Sequence, residues 1–184
     1  MADSNITKRA LAAALKELMM ELPFEKINVA HICEKCDMNR KSFYYHFKDK
    51  YDLVNWIYDT EFIAVVTQKN FANSWDFLLE LFQYLYENRD FYCKALKIRG
   101  QNSFQDHFRE MLNPLIEHKL RSEVLTGQEV QEFQINFFAD AIVCAIERWL
   151  LNKNCVPPDQ FLSLLKSCVQ QTAVKVCREM SPSE

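Results

Sequence analysis

Apolar residues recur along this chain at spacings of three and four, the period of an α-helix, and almost nowhere alternate as a strand requires. Leu11, Leu15, Leu18 and Leu22 make one stripe, predicting a first helix over Ser4–Glu21 that Pro23 ends. Val29, Ile32, Cys33 and Cys36 make a second, short stripe opened by Asn28 as N-cap and broken at Asp37. Phe43 and Phe47, four apart behind an Asn39 N-cap, make a third. From Asp49 to Thr67 a longer helix is predicted, with Val54, Ile57, Tyr58, Phe62 and Val65 facing inward. Asn73-Ser74 breaks and caps the chain before two short helices, Trp75–Glu87 and Phe91–Ile98, divided by Asn88-Arg89-Asp90; Gly100 ends the second.

Three long segments follow. Ser103–Val124 contains Pro114, so either one kinked helix or two helices occupy it. Beyond Thr126-Gly127, Gln128–Asn152 carries two apolar rows: Phe133, Phe137, Ala141, Ala145 and Trp149, with Phe138, Ile142, Ile146 and Leu150 alongside. After Pro157-Pro158, Asp159–Met180 bears Phe161, Leu164, Leu165, Cys168, Val169, Thr172 and Val176. With only 2 Gly in 184 residues, the expected fold class is all-α: an N-terminal three-helix unit over 1–50, joined by a long helix to a C-terminal helical unit over 51–184.

Charge is divided along the same line. The net charge is −3, yet residues 1–50 carry nine Lys/Arg against seven Asp/Glu, and residues 51–184 carry thirteen against eighteen. The positive end coincides with Val29–Lys50, VAHICEKCDMNRKSFYYHFKDK, which reads as two short helices around a tight turn. A helix-turn-helix enters a DNA major groove by the first turn of its second helix. Arg40 and Lys41, with Ser42, are therefore the candidates for reading base edges, since Arg and Lys donate to guanine O6 and N7. Tyr44, Tyr45, His46, Lys48 and Lys50, with Asn28, offer donors suited to phosphates and to fixing register.

In Val29-x-x-Ile32-Cys33, Asn39-Arg40-Lys41-Ser42-Phe43-Tyr44-Tyr45-His46-Phe47 and Lys50-Tyr51-Asp52-Leu53, the chain resembles the TetR-type transcriptional regulators over about Ile6–Phe62. The wording KDKYDLVNWIYDTEF is similar to the subgroup that regulates dihydroxyacetone kinase operons. The family usually has Gly at the turn; here Asp37 or a neighbour must take the positive φ. The resemblance implies a homodimer on a palindromic double-stranded operator, joined through the last two helices as a four-helix bundle. From periodicity alone the second apolar face serves equally for packing within the subunit. The candidate interface residues are Phe138, Ile142, Ile146, Leu165, Cys168, Val169 and Thr172. A signal is expected at the C-terminal unit, from a small-molecule effector or from a protein co-regulator.

Other chemistry is thin. Trp75, Phe82, Phe91, Tyr92, Phe104, Phe108, Phe137 and Trp149 have the character of cavity walls or of plain core, and Arg99, His107, His118, Glu147 and Arg148 are polar groups without a distinguishing pattern. No nucleophile–base pair, paired carboxylates or glycine-rich phosphate loop appears at a persuasive spacing, so an enzyme is not expected. Seven scattered cysteines fit reduced thiols, and Cys33-x-x-Cys36 lacks a second pair at zinc spacing, so neither metal nor cofactor is expected. No apolar run approaches ~20 residues and the N-terminus lacks a secretory pattern, so no membrane association and a cytoplasmic location are expected.

Overall fold

The structure, a computed structural model, describes residues 2–98, 103–120 and 128–180, with side chains over 4–98, 103–114 and 132–171. Among the described residues the chain is helical throughout, without strands. The first helix, α1 (Ala2–Glu21), buries Leu11, Leu15, Leu18 and Met19 and leaves Leu22 half-buried, as its stripe predicts. A 3₁₀ turn (Phe24–Lys26) leads into α2 (Val29–Lys35) and α3 (Arg40–His46), both packed on α1. Between them Asp37 takes a φ of 52°, the left-handed conformation that few residues other than glycine tolerate.

The connecting segment departs from the expected uniform helix. It runs as α4 (Lys50–Tyr58), a π turn (Asp59–Ile63) and a final α turn, α5 (Ala64–Val66). A π turn holds one residue more than an α turn. Burial passes from Tyr58 and Phe62 to Val66, leaving Val65 49 % exposed rather than inward-facing as periodicity predicted.

In the C-terminal unit, Asn73 caps α6 (Ser74–Glu87) by accepting from Trp75 N at 2.9 Å and Asp76 N at 3.1 Å. Helix α7 (Arg89–Ala95) follows directly. The Pro114 question resolves as one helix, α8 (Phe104–Leu120), which packs along α9 (Gln128–Leu151). The last helix, α10 (Pro158–Met180), lies on α6. The expected stops at Gly100 and Thr126-Gly127, and residues 121–124 of the segment before the latter, lie outside the described residues. Arg89 fixes the end of α9 from α7, its Nε donating to Leu150 O and its Nη2 to Asn152 O, both at 2.7 Å. A cation there satisfies carbonyls that the helix itself leaves open.

The core is continuous from Leu11 to Leu162. Tyr58, Phe62, Tyr84, Tyr92, Phe104 and Phe108 pack ring against ring at its centre, with neighbouring centroids 5.0–6.1 Å apart. Lys50 is the first residue of α4, and the core runs on across the division expected at 50/51.

Candidate nucleic-acid interface

Local caps build the reading unit. Asn28 Oδ1 accepts from His31 N at 3.0 Å, and His31 Nδ1 accepts from Asn28 N at 3.4 Å, closing a reciprocal cap on α2. Asn39 Oδ1 accepts from Ser42 N at 2.8 Å and from Ser42 Oγ at 3.2 Å, which sets the first turn of α3. Asp49 Oδ1 accepts from Tyr51 N and Asp52 N, each at 2.9 Å, and starts α4. Each device uses a side-chain oxygen to satisfy an amide that the first helical turn leaves unpaired.

Packing then decides which side chains face outward. Phe43 and Phe47 are buried, with ring centroids 5.8 Å apart, anchoring α3 from within. Lys8 of α1 sits 5.8 Å from the Phe47 centroid and 5.8 Å from that of Trp56, bridging the head core to α4. Arg40, Lys41, Tyr44 and Tyr45 are exposed on α3, and this i, i+1, i+4, i+5 set forms one stripe; Lys48 is exposed just beyond the helix, past the extended Phe47. Tyr45 is 83 % and Tyr44 55 % exposed, high values for aromatic side chains. Tyr44 lies one turn behind Arg40, and Tyr45 one turn behind Lys41.

Three candidates are otherwise placed than the sequence suggested. Ser42 is half-buried and its hydroxyl hydrogen is directed to Asn39, leaving it an acceptor only. The oxygen of Asn28 is committed to its cap. Lys50 turns inward: Nζ donates to Phe24 O and Ile27 O, both at 2.7 Å, and stands 4.2 Å from the Phe24 ring centroid. Burial pushes its ammonium below the usual lysine range, with Glu25 opposing that shift. In this arrangement Lys50 ties α4 to the turn before α2. Spacing gave no sign of it, because the carbonyls it meets lie 23 and 26 residues away.

The thiols of Cys33 and Cys36 belong to the head core. Cys33 is buried, Cys36 Sγ donates to Ile32 O at 3.2 Å, and burial raises both above the ordinary thiol range. The polar groups of the C-terminal unit have partners of their own. His107 Nε2 lies 2.7 Å from Asp59 Oδ1, and Gln105 Nε2 donates to Glu147 Oε2 at 2.7 Å. Arg148 is exposed, and the side chains of Arg99 and His118 lie outside the described residues.

Residues 10–57 match the family profile described as bacterial regulatory proteins, tetR family, and residues 73–171 match that of a transcriptional regulator C-terminal region. The second match alone spans more than half of the chain. The chain belongs to the TetR family. It is a transcriptional regulator, not an enzyme.

A curated relative, the HTH-type dhaKLM operon transcriptional activator DhaS of Lactococcus lactis subsp. lactis (strain IL1403), is 27% identical over 151 residues, covering 80% of this chain and 81% of the relative. Among solved structures, the dihydroxyacetone kinase operon activator DhaS superposes with a TM-score of 0.62 at 24% identity, covering 90% of this chain and 97% of that one. A TetR transcriptional regulator from Streptococcus agalactiae 2603V gives 0.69 at 21% identity, covering 89% and 93%. NalD, the secondary repressor of the MexAB-OprM multidrug efflux pump in Pseudomonas aeruginosa, gives 0.61 at 18% identity, covering 92% and 96%. These superpositions show the fold: an N-terminal helix-turn-helix head and a C-terminal helical domain.

The dimer candidates divide by exposure. Ile146 is fully buried in the subunit's own core, and Ile142 and Leu165 are half-buried against it, because this row of α9 faces inward with Ala139, Val143 and Leu150. Phe138, Cys168 and Val169 are exposed; the Thr172 side chain lies outside the described residues. The outward face of α9 carries Phe133 (70 % exposed), Phe137 (57 %), Ala141 and Cys144, with Leu164 (58 %) on α10.

Proposed function

We propose that this regulator binds a two-fold symmetric operator in double-stranded DNA as a cytoplasmic homodimer. Arg40 and Lys41 read base edges with Tyr44 beside them; Tyr45, His46 and Lys48 hold the phosphates. The observation that carries this is the single exposed stripe of cations and tyrosines on α3, held outward by the buried Phe43 and Phe47. One helix of seven residues reads few base pairs. Two copies about one helical turn apart, roughly 34–36 Å, double the site.

The second copy is supported by the open apolar face of α9 and α10. Phe133 and Phe137 stack with centroids 6.3 Å apart while remaining exposed, and an apolar patch of this kind marks an interaction surface. The interface proposed is therefore Phe133, Phe137 and Phe138 with Leu164, Cys168 and Val169, in place of Ile142 and Ile146. Sedimentation should give a dimer for the wild type and a monomer for Phe137→Asp. A monomeric wild type at working concentration removes the dimer.

Control is proposed to reach the head from the C-terminal domain, by shifting the connecting helix between two states of different DNA affinity. The signal comes from a small-molecule effector or from a protein co-regulator, and a ligand-sized cavity among the core rings would favour the first. The relative named as an activator of the dhaKLM operon makes the DNA beside such an operon the first to test. Selection from a random duplex library is the decisive experiment. A recovered palindrome supports the reading; recovery of no sequence by folded dimer, with or without a co-regulator, overturns it.

A further inference from the structure

Helix α1 belongs to the reading head by sequence, yet groups from the other side of the chain grip it at two places. The last turn of any helix leaves carbonyls without internal donors. Here Lys94 Nζ of α7 donates to Met19 O and, at 3.1 Å, to Met20 O. A cation at a helix C-terminus also meets the negative end of its dipole. This one comes from more than seventy residues along the chain. One turn before that end, Lys16 Nζ bonds both oxygens of Glu61 in the π turn, at 2.6 and 2.5 Å, and lies 5.6 Å from the Phe91 ring centroid of α7.

Those grips are joined behind α1. Glu61 Oε2 accepts from Tyr84 Oη of α6 at 3.2 Å, and Tyr84 Oη lies 2.8 Å from Tyr92 Oη of α7. Burial raises both phenols, so both keep their protons and serve as donors. The contacts close a ring: Lys16 on α1, Glu61 in the π turn, Tyr84 on α6, Tyr92 on α7, and back to α1 through Lys94. Since α1 packs directly on α2 and α3, whatever moves α1 moves the recognition helix.

We propose that α1 is a second route between the regulatory helices and the recognition helix, with Lys94 and Glu61 as the positioning residues that latch it to α7 and to the π turn. The connecting helix thus shares the transmission with a latch set from the side. The inference rests on the reading above, in which the C-terminal helices control DNA affinity. Linkage makes the coupling reciprocal: if regulatory helices set the pose of α1, occupied DNA must in turn tighten α7.

The test uses the full chain and hydrogen exchange followed by peptide. In the free protein Lys94→Met, which keeps the stem and removes the donor, should raise exchange about tenfold in peptides covering 16–22 and equally in α3, leaving α10 unchanged; Lys94→Arg should restore the wild-type pattern. Fraying of α1 alone, with α3 unmoved, overturns the latch, and so does an equal rise in α10, which indicates general destabilisation. With a duplex selected by the wild-type protein, DNA should increase protection across α7 in the wild type and fail to do so in Lys94→Met and Glu61→Gln. Undiminished protection of α7 in those variants also overturns it. A wild type that selects no duplex refutes the functional reading, and the free-protein comparison then decides the latch alone.

Discussion

Helices α2 and α3 of the head and the helices of the C-terminal domain differ in how far the polar contacts that hold them reach along the chain. In the head, α2 and α3 are each started by a side chain one turn away or less, Asn28 and Asn39, and Asp49 starts the α4 that follows. In the C-terminal domain, beside the local Asn73 cap on α6, polar contacts span the chain, from Arg89 to Leu150, from His107 to Asp59 and from Gln105 to Glu147. Local devices fix a reading surface that must present the same geometry at every encounter with DNA. Distant contacts are the kind that a signal can remake, because each joins elements that can move apart.

The sharpest way to break that contrast is to remove a head anchor. Phe43 is fully buried, so Phe43→Ala should cost about 3–5 kcal/mol, read by denaturant unfolding. If the head is shaped independently, helicity of α6–α10 should survive where α2 and α3 have melted. A single cooperative transition for the whole chain would instead show the two regions to be one folding unit, as the continuous core from Leu11 to Leu162 allows.

Within the head, a second comparison separates reading from gripping. Arg40→Ala should weaken the selected duplex by about 1–3 kcal/mol while leaving random DNA nearly untouched, if Arg40 makes a bidentate base contact. Lys48→Ala should weaken both alike and reduce the salt slope of binding by about one unit. Titrations at several salt concentrations measure both quantities, and equal behaviour of the two variants would dissolve the division.

Much of this was legible in the sequence, and the exceptions share a cause. Asn28, Asn39, Asp49 and Asn73 act on amides three residues away or nearer; spacing exposes the caps at Asn28, Asn39 and Asn73, while Asp49 reads only as the start of its helix. The family resemblance implied a positive φ at Asp37 or a neighbour, and it is Asp37 that takes it. Burial of Phe43 and Phe47 followed from period. Period failed at Val65, because a π turn changes the count by one residue and leaves no mark on composition. Period was silent at Ile146, since two apolar rows on α9 are equivalent until α7 and α8 cover one of them. Lys50, Lys94 and Glu61 were invisible in their present roles, because their partners are backbone or side-chain atoms brought near only by the fold.

Lys50 tests that lesson directly. Its two bonds to carbonyls at the end of the 3₁₀ turn make it a brace, so Lys50→Met should lower stability by about 1 kcal/mol while the salt slope keeps its wild-type value. A slope reduced by about one unit, with unchanged stability, would return Lys50 to the phosphate-contacting set.

The smallest expected effect lies at the joint between the two regions. His107 of α8 meets Asp59 at the start of the π turn, with Glu110 on its own helix and the edge of the Tyr58 ring nearby. The hydrogen bond to Asp59 raises the imidazole above its ordinary range, burial opposes this, and the Asp59 and Glu110 charges reinforce the rise. The folded state therefore holds the proton more tightly than the unfolded chain, where histidine titrates near about 6.5. Its contribution is complete below that value and fades as pH rises through the higher folded-state value. Because Asp59 is partly open to solvent, the contribution should stay below about 1 kcal/mol. Unfolding measured from pH 5.5 to 8.5, a window chosen about that ordinary value, should show wild-type stability falling relative to His107→Gln, with the difference closing at the alkaline end. Parallel curves would mean that the pair holds the joint equally well in either protonation state, and that the contact between α8 and the connecting helix is as fixed as any cap in the head.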